Sequence, residues 1–167
     1  LTYSQDASTH LYVYSLEGKE LNEIKLPTVG RAGFSGERGQ KECFYSFASF
    51  TVPGTIYQYD MAQNKSTVYT EPKVKFDLGK YTTEQVFFIS KDGTHVPMFL
   101  TYRKGLKHNG KNPVLIYGYG GFNISLSPNF SSMRIPFLEN GGIYVQVNLR
   151  GGSEYGEEWH VAGTKMQ

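Results

Sequence analysis

A chain of 167 residues with 17 Lys and Arg against 15 Asp and Glu is long enough for one domain or for pieces of two. Its basic residues are scattered, with Lys73 and Lys75 or Lys104 and Lys107 the nearest to clusters, so nucleic acid is not an expected partner. No apolar stretch approaches the ~20 residues of a membrane-spanning helix, and no membrane partner is expected.

Thirteen Tyr and eleven Phe favour strands over helices. Residues 1 to 71 read as antiparallel β-structure. Leu11-Tyr12-Val13-Tyr14 and Glu20 to Leu26 flank Leu16-Glu17-Gly18-Lys19, a hairpin with a glycine in its turn. Strands are expected at Cys43–Phe50 and Thr55–Asp60, then at Ser66–Thr70 after the polar turn Ala62-Gln63-Asn64-Lys65. The stretches beginning at His10 and Thr55 share a pattern, an alternating aromatic strand running into a polar turn that ends in Lys, and they start 45 residues apart. That spacing suits a β-propeller blade of ~40–50 residues, and a plain β-meander fits it equally well. The lone cysteine, Cys43, excludes an internal disulfide and sits in an aromatic run as a small buried hydrophobe.

The texture changes at Glu71-Pro72-Lys73. Tyr81–Ser90 and Thr94–Tyr102 are strands joined by Lys91-Asp92-Gly93, a strong hairpin signal. A polar loop from Lys104 to Asn112 leads to the apolar run Pro113-Val114-Leu115-Ile116, expected as a buried strand. It opens into Tyr117-Gly118-Tyr119-Gly120-Gly121-Phe122-Asn123, where glycines let backbone approach a ligand while phenol groups point at it. Ser131 to Asn140 is expected to be helical, with a serine to cap it, an awkward Pro136, and a left-handed stop at Gly141-Gly142. Gly142–Leu149 is one more strand, which completes the strand–helix–strand grammar of an α/β layer. Two or three strands and one helix do not close such a core, so a longer polypeptide is expected on both sides: no initiator Met precedes Leu1, and the layer stops at Met166-Gln167.

An α/β-hydrolase needs hydrogen-bond donors aimed at the oxygen of its tetrahedral intermediate, one of them from the loop after the third strand. Gly118 to Gly121 occupies that place in the order of elements. By glycine spacing alone, a tight strand-to-helix turn with two packing tyrosines fits better. No Gly-x-Ser-x-Gly nucleophile motif occurs; Gly33-Phe34-Ser35-Gly36 and Gly151-Gly152-Ser153-Glu154-Tyr155 only approach it. His10 and His95 fall on strands, His108 in a loop and His160 in a helical turn, and His160 reads as a structural residue rather than a general base. No dinucleotide, phosphate-loop or metal-ligand spacing is present, so no cofactor and no metal are expected.

Tyr117-Gly-Tyr-Gly-Gly-Phe-Asn-Ile-Ser125 and Val147-Asn-Leu-Arg-Gly-Gly-Ser-Glu-Tyr-Gly-Glu-Glu-Trp-His160 together resemble the prolyl oligopeptidase (prolyl endopeptidase) family of serine peptidases. Ser90 to Phe99 and Ser46 to Tyr57 resemble it too, in the same order, and Gly121-Phe122-Asn123 favours the prolyl branch over oligopeptidase B. The resemblance implies a mixed fold: the C-terminal part of a β-propeller at 1–72, then the beginning of an α/β-hydrolase domain at 73–167. It implies that Tyr119 donates to the oxyanion, that Phe122 walls the pocket for the substrate's proline ring, and that Gly118, Gly120 and Gly121 support that loop. Tyr117 would back Tyr119 or simply pack. Ser153, where relatives commonly carry a third Gly, would stiffen its loop slightly without bearing on activity. Family nucleophile, aspartate and histidine would lie beyond Gln167, in a parent expected to be monomeric, to act on short proline-containing peptides, and to reside in cytoplasm or periplasm. An esterase, an aminoacyl-peptidase or a catalytically silent scaffold of the same fold are the alternatives.

Overall fold

The computed structural model describes residues 1–37 and 39–165; Met166 and Gln167, where the α/β layer is expected to break off, lie outside the described residues. The chain clusters into two compact units. One holds Leu1–Lys75 with Pro128–Phe130, the other Phe76–Ser127 and the residues from Ser131 on.

The first unit contains two antiparallel sheets. β1 (Thr2–Gln5), β2 (Ser8–Tyr14) and β3 (Glu20–Ile24) form one in that order, and β4 (Arg31–Ser35), β5 (Glu42–Ala48), β6 (Thr55–Asp60) and β7 (Lys65–Thr70) form a four-stranded meander. The expected hairpin is β2–β3, with Gly18 at φ 84° in its turn. Strands β1 and β4 were not expected, because neither has a strong alternating pattern. β1 is exposed throughout and β4 buries only Ala32, so each is a strand by virtue of its better-patterned neighbour. The repeated segments fall on β2 and β6, each the next-to-last strand of its sheet. β3 begins at residue 20 and β7 at residue 65, so the two sheets follow one plan at the same spacing.

Inward residues of both sheets make a common core of Leu11, Ile24, Ala32, Cys43, Tyr45, Phe47 and Tyr59. Cys43 is buried, its thiol pushed up by desolvation, and it donates weakly to the Tyr59 carbonyl. Tyr45 and Tyr57 face each other across β5 and β6 and stack with centroids 5.0 Å apart, the kind of cross-strand aromatic pair that stabilises a sheet. A tyrosine in a core needs a partner for its hydroxyl. Tyr59 accepts from Asn22 Nδ2 at 2.9 Å and donates to Asn64 Oδ1 at 2.8 Å, which ties β3 to the turn after β6.

The second unit is a mixed four-stranded sheet in the order β10-β11-β9-β8. β8 (Tyr81–Ile89) and β9 (His95–Arg103) make the expected hairpin, closed by Gly93 at φ 86°. Opposed Thr83 and Thr101 share a hydrogen bond of 3.0 Å, and Tyr102 donates to Glu84, whose carboxylate helps push the phenol up to about 12. β11 (Ile143–Val147) pairs antiparallel with β9 and parallel with β10 (Val114–Gly118), as a strand–helix–strand unit requires. β11 is buried at every position. β10 is not: it forms the edge of the sheet and every residue in it is exposed, which corrects the expectation of a buried strand. Apolarity on both faces signals a strand suited to cover, and does not say that the cover is within reach.

The expected ten-residue helix is shorter. A 3-10 turn at Ser132–Arg134 leads into α1 (Ile135–Glu139), and the Ser131 side chain makes no capping bond. Pro136 sits in the first turn of α1, where a missing N–H costs nothing, so it sets the start of the helix rather than interrupting one. Gly141 at φ 81° stops it as expected, donating to Leu138 O at 3.1 Å. Side chains alternate along β11. Ile143, Val145 and Val147 join a cluster with Val96, Tyr102 and Trp159. Tyr144 lies on the other face under the Arg134 guanidinium, 4.4 Å from the ring centroid, beside the helix it precedes.

Replacing Tyr59 with Phe removes one hydroxyl and leaves Asn22 and Asn64 without it. Urea unfolding of the variant is expected to show a loss of about 0.5–1.5 kcal/mol. Asn22 Nδ2 also donates directly to Asn64 Oδ1 at 3.0 Å, so an unchanged midpoint would show that this direct bond suffices and the Tyr59 hydroxyl adds nothing.

Candidate functional site

Parallel pairing brings the carboxyl ends of β10 and β11 side by side, with Gly118 opposite Val147. Ligands of α/β sheets bind at such ends. Two loops leave from there, 119–127 and 148–156. Tyr119 is the first residue past β10 and is 48% exposed; Phe122 is 85% exposed, and the two rings lie 6.3 Å apart at a 31° tilt. Tyr117, within the strand, is also exposed. The backbone that carries these rings is itself unusual. Phe122 and Asn123 both adopt left-handed conformations, φ 52° and 57°, which bulky residues rarely enter. Ile124 N–H closes the turn onto Gly121 O at 3.1 Å.

The two loops touch backbone to backbone. A Cβ on Gly120 would stand 2.7 Å from Leu149 Cβ and 2.8 Å from Arg150 O, and one on Gly151 would stand 2.2 Å from Gly120 O. Glycine is needed at both places on space alone, and φ values of 60° and 99° ask for it again. Gly118 is less constrained, 3.0 Å from Leu149 Cδ1. Gly121 is not crowded, with nothing nearer than Tyr119 Cε1 at 4.0 Å.

Polar ties fasten the contact. Asn123 N–H donates to Gly151 O at 3.1 Å and Leu126 N–H to Glu154 Oε1 at 3.0 Å. Asn148 Nδ2 donates to Leu126 O at 2.7 Å and to Glu154 Oε1 at 3.1 Å. Ser153 and Ser125 share a hydroxyl hydrogen bond of 2.9 Å, so the serine expected only to stiffen its loop also reaches across to the other. From behind, α2 (Glu157–Val161) grips the second loop: Trp159 Nε1 donates to Leu149 O at 3.2 Å, Gly151 N–H to Trp159 O at 2.9 Å, and His160 Nδ1 lies 2.7 Å from Gly151 O. Arg150 reaches the β8–β9 turn, donating to Asp92 and to Ser90 Oγ at 3.3 Å. Its guanidinium is the main reason that the Asp92 carboxyl is held well below the usual carboxylate range.

Sequence reasoning singled out the first loop and missed what holds it. Asn148 and Glu154, 0% and 9% exposed, carried a usable signal: polar residues flanking an arginine and two glycines just after a mostly apolar strand. Such side chains, once buried, must bond to something close by. His10, His95 and His108 are far from this in role. His10 bonds Glu23 at 3.2 Å on β2, His95 opens β9, and the His108 ring meets Tyr102 edge-on. Among the described residues, no group of His, Cys, Asp and Glu is arranged to hold a metal ion.

Residues 1–72 match the family model for the prolyl oligopeptidase N-terminal beta-propeller domain, and residues 128–167 match the model of the prolyl oligopeptidase family. A prolyl endopeptidase of Elizabethkingia meningoseptica is 52% identical over 99% of this chain and 24% of its own length. A dual function macrocyclase-peptidase of Amanita bisporigera is 35% identical over 98% of this chain and 23% of its own. Both alignments span the loop after β10, which lies between the two family matches. Among solved structures, apo prolyl oligopeptidase B from Galerina marginata aligns with a TM-score of 0.89 at 35% identity, over 97% of this chain and 24% of that one. A structure from a study of two prolyl endopeptidases gives 0.86 at 44% identity, over 98% and 24%. The chain thus spans about a quarter of the length of the relatives it matches. With a match to the family's β-propeller model ahead of a match to its peptidase model, and an alignment that spans nearly the whole chain, the chain belongs to the prolyl oligopeptidase family.

Proposed function

We propose that the whole protein is a serine endopeptidase that cleaves short peptides on the carboxyl side of proline through an acyl-enzyme. Residues 1–72 are the end of its propeller and residues 73–167 the beginning of its catalytic domain. In this reading Tyr119 is the side-chain donor to the oxyanion, Phe122 is the wall against the proline ring, and Gly118, Gly120 and Gly121 let the loop carry both. The observation that supports it most is the pairing of an accessible phenol and an accessible phenyl ring, 6.3 Å apart, on one tethered loop at the carboxyl end of a parallel strand. The printed names of the relatives, prolyl endopeptidases among them, point the same way.

The chemistry follows from the two rings. Attack on the scissile carbonyl moves negative charge onto its oxygen, and a neutral phenol donates a hydrogen bond that strengthens as that charge grows. The gain is therefore largest in the transition state, where it raises turnover rather than affinity. Phe122 acts differently. A flat apolar ring beside the carbonyl gives the compact pyrrolidine a dry surface and offers little to a longer or polar side chain. Neither residue is a nucleophile or a base, and the 167 residues contain no Gly-x-Ser-x-Gly.

In the whole enzyme, Tyr119→Phe is expected to lower kcat on a chromogenic Gly-Pro substrate by about 10²–10³-fold with KM little changed. An unaltered rate would remove Tyr119 from the mechanism. The 167-residue chain by itself is expected to show no turnover of that substrate at any concentration. Hydrolysis by it would mean that the nucleophile lies among these residues, and the assignment of roles would fail.

A further inference from the structure

The Gly151 carbonyl is held from two sides. Asn123 N–H reaches it at 3.1 Å from the loop after β10, and His160 Nδ1 reaches it at 2.7 Å from α2. A carbonyl oxygen only accepts, so Nδ1 carries the proton and the imidazole is the donor. We infer that His160 is a specificity-positioning residue, which acts through the Gly151 carbonyl to hold Phe122 in place. This rests on the reading of Phe122 as the proline wall.

The left-handed backbone at Phe122 and Asn123 persists only while its surroundings over-determine it. Two bonds act at the turn itself, Asn123 N–H to Gly151 O and Ile124 N–H to Gly121 O, while the ties of Ser125 and Leu126 to the second loop lie further along. The second is local to the turn and moves with it. The first is the link to the second loop that lies nearest Phe122, and its acceptor carbonyl is also held by the imidazole behind it. Without the donor at 160, Gly151 O has one partner fewer and is free to tilt, Asn123 N–H loses a fixed acceptor, and Phe122 relaxes toward extended backbone. Tyr119 is anchored otherwise. It follows Gly118, which is paired with Val147 in the ladder, and Gly120 is wedged against Leu149 and Arg150. Loss of the His160 bond therefore displaces the wall more than the phenol, and selectivity suffers before turnover does.

The test uses the whole enzyme and compares kcat/KM on chromogenic Gly-Pro and Gly-Ala substrates. His160→Phe keeps the ring volume and removes the donor, His160→Gln places its amide at the wrong reach, and His160→Asn keeps an N–H near the position of Nδ1. The Phe and Gln variants are expected to lower the proline-to-alanine ratio by about tenfold, mainly through a raised KM for the proline substrate, on the scale of modest changes in an apolar pocket. His160→Asn is expected to restore most of it. Either of the first two suffices should the other fail to fold. A uniform slowing of both substrates with the ratio intact is what a purely structural histidine gives, and it would overturn the proposal. Phe122→Ala separates the two levels. If it collapses the ratio while the His160 variants do not, the role of His160 falls alone; if it leaves the ratio intact, the wall and the residue positioning it fall together.

Discussion

The contact of Gly120 with Gly151 is the constraint on which the loop-bearing end of the second unit depends. Parallel pairing starts the loops leaving β10 and β11 side by side, and at Gly120 and Gly151 their backbones come closer than a Cβ allows. Removing the side chains solves the problem: the Gly120 carbonyl lies where a Gly151 Cβ would be. Once the backbones mesh, every further tie becomes short-range. Asn148, Glu154 and Ser153 reach the first loop, and Trp159 and His160 hold the second against α2. The left-handed turn at Phe122 is the product of that arrangement, a locally unfavourable backbone kept by favourable neighbours.

Much of the architecture was legible in the residues. Alternation and turn chemistry identified β2–β3 and β8–β9 with their glycines, and the parallel unit β10–α1–β11 with its left-handed stop. What escaped was structure that borrows its stability from elsewhere. β1 and β4 are strands through pairing and not through pattern, and α1 starts at Ile135, with Pro136 in its first turn and Ile135 and Leu138 buried, while the serine upstream makes no cap. At the candidate site the glycines and aromatics stood out at once. Their exposure could not be read, since an aromatic ring ordinarily argues for burial, and nothing in the local pattern announces the left-handed backbone at Phe122. The ties between residues 123–126 and 148–160 span more than twenty positions of chain and follow no period, so local pattern cannot reveal them.

The first unit solves a different problem with the same economy of residue types. Its core is rich in tyrosine, and each buried ring brings a hydroxyl that must be satisfied. Tyr59 shows one solution, borrowing amides from β3 and from the turn after β6. The same bonds that satisfy the phenol fasten one sheet to the next, so the aromatic composition that marks this region as β-structure also supplies its cross-links.

β10 carries Val114, Leu115 and Ile116 in the open on both faces of the sheet, with hydrogen-bonding groups along its outer side that no strand among the described residues takes up. That is the geometry of a template for lateral growth. Left uncovered, such an edge offers pairing to any strand that meets it in register, so covering β10 is also what guards this unit against aggregation.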